Sequence, residues 1–85
     1  MRIEYDKAGD VLYLTLEECA PDACIFRENG NGDVLRISRD TGEIVGVTII
    51  AFLLRIEKGY EIEVSEIGAV PFKKLASRFA GRRSA

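Results

Sequence analysis

The feature that most constrains this chain is a period-two alternation of apolar and polar residues over residues 1–50, broken at short intervals by turn-forming residues. Successive side chains of a strand point to opposite faces, so this pattern builds a sheet rather than a helical bundle. Residues 11–16 alternate strictly, sending Leu12, Leu14 and Leu16 to one face and Val11, Tyr13 and Thr15 to the other. Ile3 and Tyr5 share a face just before, and the short turn-like link at residues 6–10 predicts a hairpin. Pro21 and Asp22 mark the next turn. Residues 24–28 form a third strand, and Asn29-Gly30-Asn31-Gly32 supplies the positive φ angles of a hairpin turn. Residues 34–38 form a fourth strand, closed by Asp40-Thr41-Gly42. Residues 44–50 are the most apolar and β-branched stretch, predicting a strand that is central or covered on both faces. Hairpin-like links joining consecutive strands predict an antiparallel meander.

The pattern changes after residue 50. Phe52 and Ile56 are four apart, as in a short helix that Gly59 would end, while residues 60–64 alternate again as a sixth strand would. Residues 51–66 thus read either way. Pro71 suits the first position of a helix, and Phe72, Leu75, Ala76 and Phe79 recur at helical spacing as one apolar stripe. Gly81 is expected to stop that helix, giving a helix over residues 71–80 and a frayed basic tail over 81–85. The whole chain reads as a single α+β domain: an antiparallel β-meander of five or six strands, five of them within residues 1–50, with the C-terminal helix packed on one face.

Function classes are narrowed by what is missing. The chain has no histidine, which removes the commonest general base, the commonest zinc ligand and every Ser-His or Cys-His nucleophile pair. No enzyme activity and no cofactor are expected. The longest apolar run, residues 45–54, is half of the roughly 20 residues a spanning helix needs. Acids near the N-terminus replace the apolar core of a secretory signal, so a cytoplasmic, membrane-free protein is expected. With 85 residues the core is small, and domains of this size often gain support from self-association. A homo-oligomer, with a dimer favoured, follows as the expected partner state.

Charge is divided unevenly. Five of the 12 Lys and Arg residues lie in residues 73–85, which contain no acid, leaving seven against all 14 acids in residues 1–72. The result is an acidic body with a basic tail. Lys73, Lys74, Arg78, Arg82 and Arg83 could contact phosphate, but no aromatic residues interleave with them as a stacking surface would require. A cationic helix packed against its own acidic sheet is the commoner arrangement. The acids Asp6, Asp10, Glu17, Glu18 and Asp22 gather near the first turns, and residues 29–33 faintly resemble a calcium loop. Turn chemistry accounts for Asp and Asn at such places without a ligand. Cys19 and Cys24 flank the Pro21 turn and could bridge across it or share a metal; metal binding would need two further ligands, and the cytoplasmic setting leads to two reduced thiols as the expectation.

Two segments together carry a family resemblance. Ile3-Glu4-Tyr5-Asp6 followed by Asp10-Val11-Leu12-Tyr13-Leu14-Thr15-Leu16 is similar to the opening of domain-of-unknown-function family 2283, and Asp40-Thr41-Gly42-Glu43-Ile44-Val45-Gly46-Val47-Thr48-Ile49-Ile50 resembles a second segment of it. The likeness spans roughly residues 1–52 and departs from the family pattern at Gly9 and in a longer loop at residues 29–32. The resemblance implies a small β-rich prokaryotic protein with no catalytic residues to carry over, and weakly an antitoxin-like role with a protein partner.

Two expectations result. In the first, the protein is a non-enzymatic, self-associating interaction module whose exposed apolar surface comes from Val45, Val47, Ile49 and Phe52. Its acidic body would also draw a small basic protein partner. In the second, it is a nucleic-acid-associated protein that uses the basic C-terminal helix.

Overall fold

In the computed structural model, which describes residues 1–83 and side chains to residue 80, the alternating half of the chain becomes five strands. They are β1 (Arg2–Asp6), β2 (Val11–Thr15), β3 (Cys24–Glu28), β4 (Asp33–Ser38) and β5 (Ile44–Ile50). Two helices follow, α1 (Phe52–Glu57) and α2 (Phe72–Arg83). The fold is α+β, with an antiparallel sheet and a C-terminal helix, as the pattern predicts.

The strand order differs from a meander. It is β1-β2-β5-β4-β3, every neighbour antiparallel. Strands β3, β4 and β5 are joined by hairpins, and β5 docks on β2, which is a Greek-key arrangement. The physical reason lies in the β2–β3 link. Instead of turning back at β2, it crosses the end of the sheet, where the N–H groups of Leu16 and Glu17 both donate to the Val45 carbonyl at 2.8 and 3.1 Å. The most apolar strand thereby gains neighbours on both sides, and β5 is central as expected. A bulge opposite Arg36 and Ile37 makes Val45 the extra residue of β5.

Cross-strand register fixes the two faces. Ile3 and Tyr5 oppose Leu14 and Leu12, these oppose Val47 and Ile49, and Val47 opposes Leu35. This side is covered by α1, α2 and the segment between them, and Leu12, Leu14, Leu35, Val47, Ile49, Phe52 and Phe79 share one buried cluster. Each Leu, Ile or Phe so buried contributes about 1.5–3 kcal/mol relative to exposure. Tyr5 ties the first hairpin to the helices, stacking on Phe79 at 4.8 Å between ring centroids and meeting Phe52 edge-on at 6.3 Å.

Asp10 is more than a turn acid. Its carboxylate accepts from the Leu53 and Leu54 N–H groups at 2.9 and 3.1 Å and from the Tyr5 hydroxyl at 2.7 Å. Its carbonyl accepts from Phe52 N–H at 3.0 Å. The start of α1, preceded by Ala51 in a left-handed conformation (φ 55°), is thus capped by a residue 43 positions away.

The C-terminal region brings three corrections. Residues 60–64 are not a sixth strand; Ile62 and Val64 are buried against the core, but the segment pairs with no strand. Pro71 is not the first residue of α2. It precedes the helix and its carbonyl accepts the Leu75 N–H at 3.1 Å, the bond a capping residue makes. Helix α2 also runs through Gly81 to Arg83 rather than ending at residue 80, because a glycine within a helix costs only about 1 kcal/mol when the preceding turns are anchored. Ser84 and Ala85, expected in the frayed tail, lie outside the described residues. The stripe itself is as predicted: Phe72, Leu75, Ala76 and Phe79 are buried against the sheet.

Candidate interaction surface

Because both helices lie on one side, the opposite face of the sheet has no covering layer among the described residues. Register places Val11, Tyr13 and Thr15 of β2, Gly46, Thr48 and Ile50 of β5, Val34 and Arg36 of β4, and Phe26 of β3 on that face. Phe26 is 58% exposed, Ile50 49% and Tyr13 38%. Val11, Val34 and Thr48 are half-buried between them.

Arg36 is the cation of this face. Gly46 is directly opposite it, and a Cβ added there would lie 2.5 Å from the guanidinium carbon. The missing side chain lets the guanidinium cross β5 and donate to the Leu14 carbonyl at 2.9 Å and the Thr15 hydroxyl at 3.1 Å. Its Nε is buried and has no hydrogen-bond partner among the described residues. Among the described residues Arg36 forms no ion pair. Aromatic, aliphatic and arginine side chains on one exposed face form the composition found at energetically important interface positions.

The two sheet edges differ. On β1, Arg2 pairs with Glu4 at 2.7 Å and with Glu18, so charged side chains flank the free backbone. On β3, Ile25 and Phe26 are both exposed, on opposite faces, and only Arg27 and Glu28 add charge.

Several residues singled out by sequence lie elsewhere. Val45, Val47, Ile49 and Phe52 do not form an exposed surface: each is at most 3% exposed. Val47, Ile49 and Phe52 belong to the helix-covered core and Val45 sits buried at the bulge, because α2 covers the side of β5 to which the odd-numbered valine and isoleucine point. The exposed apolar surface comes instead from Ile50 and from Tyr13 and Phe26. A reading of β5 with two faces could have found Ile50, whereas Phe26 needed the knowledge that β3 is an edge.

Lys73, Lys74 and Arg78 are exposed on α2. The side chains of Arg82 and Arg83 lie outside the described residues. Cys19 and Cys24, expected as separate thiols, are instead joined as a disulfide, their Cα atoms 6.6 Å apart, because the crossover passes β5 and β4 and brings Cys19 beside the first residue of β3. The loop that resembled a calcium site is held by turn chemistry. The Asn29 side-chain oxygen accepts from Asn31 and Asp33 N–H groups at 2.9 and 3.3 Å. Asp33 is fully buried and pairs with Arg55 at 2.7 Å, while Asn29 donates to its other oxygen at 3.3 Å. Among the described residues no three His, Cys, Asp or Glu side chains gather as a metal site would require. A groove of 340 Å³ beside α2, lined by Ile56, Ile62, Val70 and Phe72, brings Glu61, Glu63 and Lys73 to its walls but no thiol or hydroxyl nucleophile.

No family model, curated protein or solved structure matches this chain. No helix of the described residues is long and apolar enough to cross a membrane.

Proposed function

We propose that this protein is a non-enzymatic interaction module that associates with copies of itself through the uncovered side of its sheet. The observation that carries this reading is the open face itself: Tyr13, Phe26 and Ile50 exposed around Arg36, whose buried Nε has no partner among the described residues. A small domain gains stability by burying such surface, and an arginine held by its own strands is already ordered for an incoming group. The proposal extends to an antitoxin-like role, in which the acidic body attracts a small basic protein, and to a cytoplasmic setting, against which the Cys19–Cys24 disulfide counts. Membership of domain-of-unknown-function family 2283 is part of the same proposal.

The test is the solution mass of the full chain by light scattering from micromolar to millimolar concentration. The mass should rise from 9.4 kDa toward twice that value. A chain that stays at the monomer mass throughout, and captures no protein from lysate in stoichiometric amount, has no such function.

A second reading rests on the exposed Lys73, Lys74 and Arg78 of α2. It assigns a nucleic-acid contact to that helix, with binding that weakens steeply with salt and disappears when the three residues are changed to glutamate. Salt-independent or unchanged binding refutes it.

A further inference from the structure

The β3 edge carries the inference furthest. In an antiparallel ladder, residue pairs alternate between those that exchange hydrogen bonds and those whose backbone groups point away from the partner. Asn29 N–H donates to the Asp33 carbonyl at 3.1 Å at one end of the β3–β4 ladder, and Arg39 N–H donates to the Ala23 carbonyl at 2.9 Å at the other. Counting inward from both ends in steps of two gives the same answer: Ile25 and Arg27 bond to Ile37 and Leu35 of β4. The N–H and C=O groups of Cys24, Phe26 and Glu28 therefore point to the free edge. Cys24 N–H is already used, since it donates to the Pro21 carbonyl. What remains, among the described residues, is a row of unpaired backbone groups centred on Phe26, with exposed Ile25 and Phe26 side chains on its two faces.

We propose that a second copy of this chain adds to this edge, β3 against β3 in antiparallel sense, with the two-fold axis passing beside Phe26. The proposal rests on the self-association reading above, but places the contact at the β3 edge rather than on the open face, of which only Phe26 takes part. A two-fold axis perpendicular to a sheet preserves the faces, so each residue at the axis must oppose itself. A residue whose backbone points outward then exchanges both hydrogen bonds with its own copy, whereas one whose backbone points to β4 forms a non-bonded pair flanked by bonded neighbours. Phe26 is the middle of the three outward residues, and this register uses every group left free except the Glu28 carbonyl, whose partner would be the occupied Cys24 N–H. Phe26 exchanges both hydrogen bonds with the partner's Phe26, and Glu28 N–H donates to the Cys24 carbonyl of the other copy. Registers centred on Arg27 would oppose like charges and those centred on Ile25 would leave Phe26 opposite Cys24. With Phe26 at the axis, the two exposed rings meet on the open face. On the other face, Ile25 is covered by the aliphatic stem of the partner's Arg27. The β1 edge cannot compete, because Arg2, Glu4 and Glu18 form ion pairs along it. The result is one continuous ten-stranded sheet with a doubled open face.

A five-residue edge buries less than the roughly 800 Å² per partner of a standard interface. The dimer should accordingly dissociate at concentrations on the order of micromolar or weaker.

The test combines sedimentation equilibrium with amide hydrogen exchange on the full chain. At concentrations where the mass is that of a dimer, the Phe26 and Glu28 amides should exchange at least about tenfold more slowly than in dilute monomer, with Ile25 and Arg27 unchanged. Glu28→Pro removes an outward N–H without touching the β4 ladder and should leave a folded monomer. If that variant fails to fold, Phe26→Lys serves the same purpose at an exposed side chain. A dimer whose Phe26 and Glu28 amides exchange as they do in monomer overturns the edge geometry while leaving self-association in place. A chain that is monomeric at every concentration overturns both.

Discussion

The pair of Asp33 and Arg55 offers the sharpest test of the forces holding this domain. Asp33 is 0% exposed and the Arg55 side chain 18%, with 2.7 Å between Oδ1 and Nη1. Apart from Arg55, the carboxylate receives one side-chain hydrogen bond among the described residues, from Asn29 at 3.3 Å. The two partners are therefore not equivalent. Removing Asp33 leaves a guanidinium that still reaches the Ile50 carbonyl at 3.4 Å and can swing toward water. Removing Arg55 leaves a carboxylate with no route to solvent. Breaking a buried pair from one side costs about 3–5 kcal/mol, whereas replacing both members with neutral groups of similar volume is often close to neutral. Arg55→Met is expected at the top of that range and Asp33→Asn at about 1–3 kcal/mol, since the amide oxygen can still accept from Arg55. The double variant Asp33→Asn/Arg55→Met should lose no more than Arg55→Met alone, and recover at least about 1–2 kcal/mol relative to the sum of the singles. A domain of 85 residues has about 4–13 kcal/mol in total, so Arg55→Met alone approaches the unfolding threshold. The assay is urea unfolding followed by circular dichroism, with free energies compared at constant m-value. Additive losses in the double variant, or a larger loss for Asp33→Asn than for Arg55→Met, would refute the reasoning.

Other expectations are simpler. Asp10→Ala removes the α1 cap and the acceptor for Tyr5, and should cost about 1–2 kcal/mol in thermal or urea unfolding; Asp10→Asn, which tolerates the positive φ of 54° and keeps an acceptor, should cost less. Equal losses for the two would show that the cap is not the cause. Gly46→Ala drives Arg36 off β5 and forfeits its bonds to Leu14 and Thr15, an expected loss of about 1–3 kcal/mol, which Arg36→Met should abolish when combined with it. Charge reversal of Lys73, Lys74 and Arg78 together should change stability by less than about 1 kcal/mol, since all three are exposed on α2; a large loss in chemical unfolding would mean that they hold the helix in place.

Much of this architecture was legible in residues 1–50 because its causes are local. Alternation and turn residues act within a few positions, so β3 and β5 appear with the bounds the sequence predicts, and the Asn29–Gly32 turn forms where its residue types require. The helical stripe from Phe72 to Phe79 is local in the same sense. Strand order is different. Leu12 and Leu14 of β2 and Leu35 of β4 are equally apolar partners for β5, and nothing in their spacing says that β5 takes both while β3 is sent to the edge. That choice depends on a crossover held by hydrogen bonds to Val45, some thirty residues from where the link begins. The site followed the same division. Its residue types were visible, but Val45, Val47, Ile49 and Phe52 were placed on the wrong side, since the sequence does not say which face α2 will cover. Asp10 and Asp33 looked like ordinary turn acids, and only the fold brings the α1 amides and Arg55 to them. Sequence by itself determined the elements, because backbone preference and amphipathic period act at short range. Only the tertiary structure decided the order of the strands, the covered face and the free β3 edge, because those depend on contacts between segments far apart in the chain.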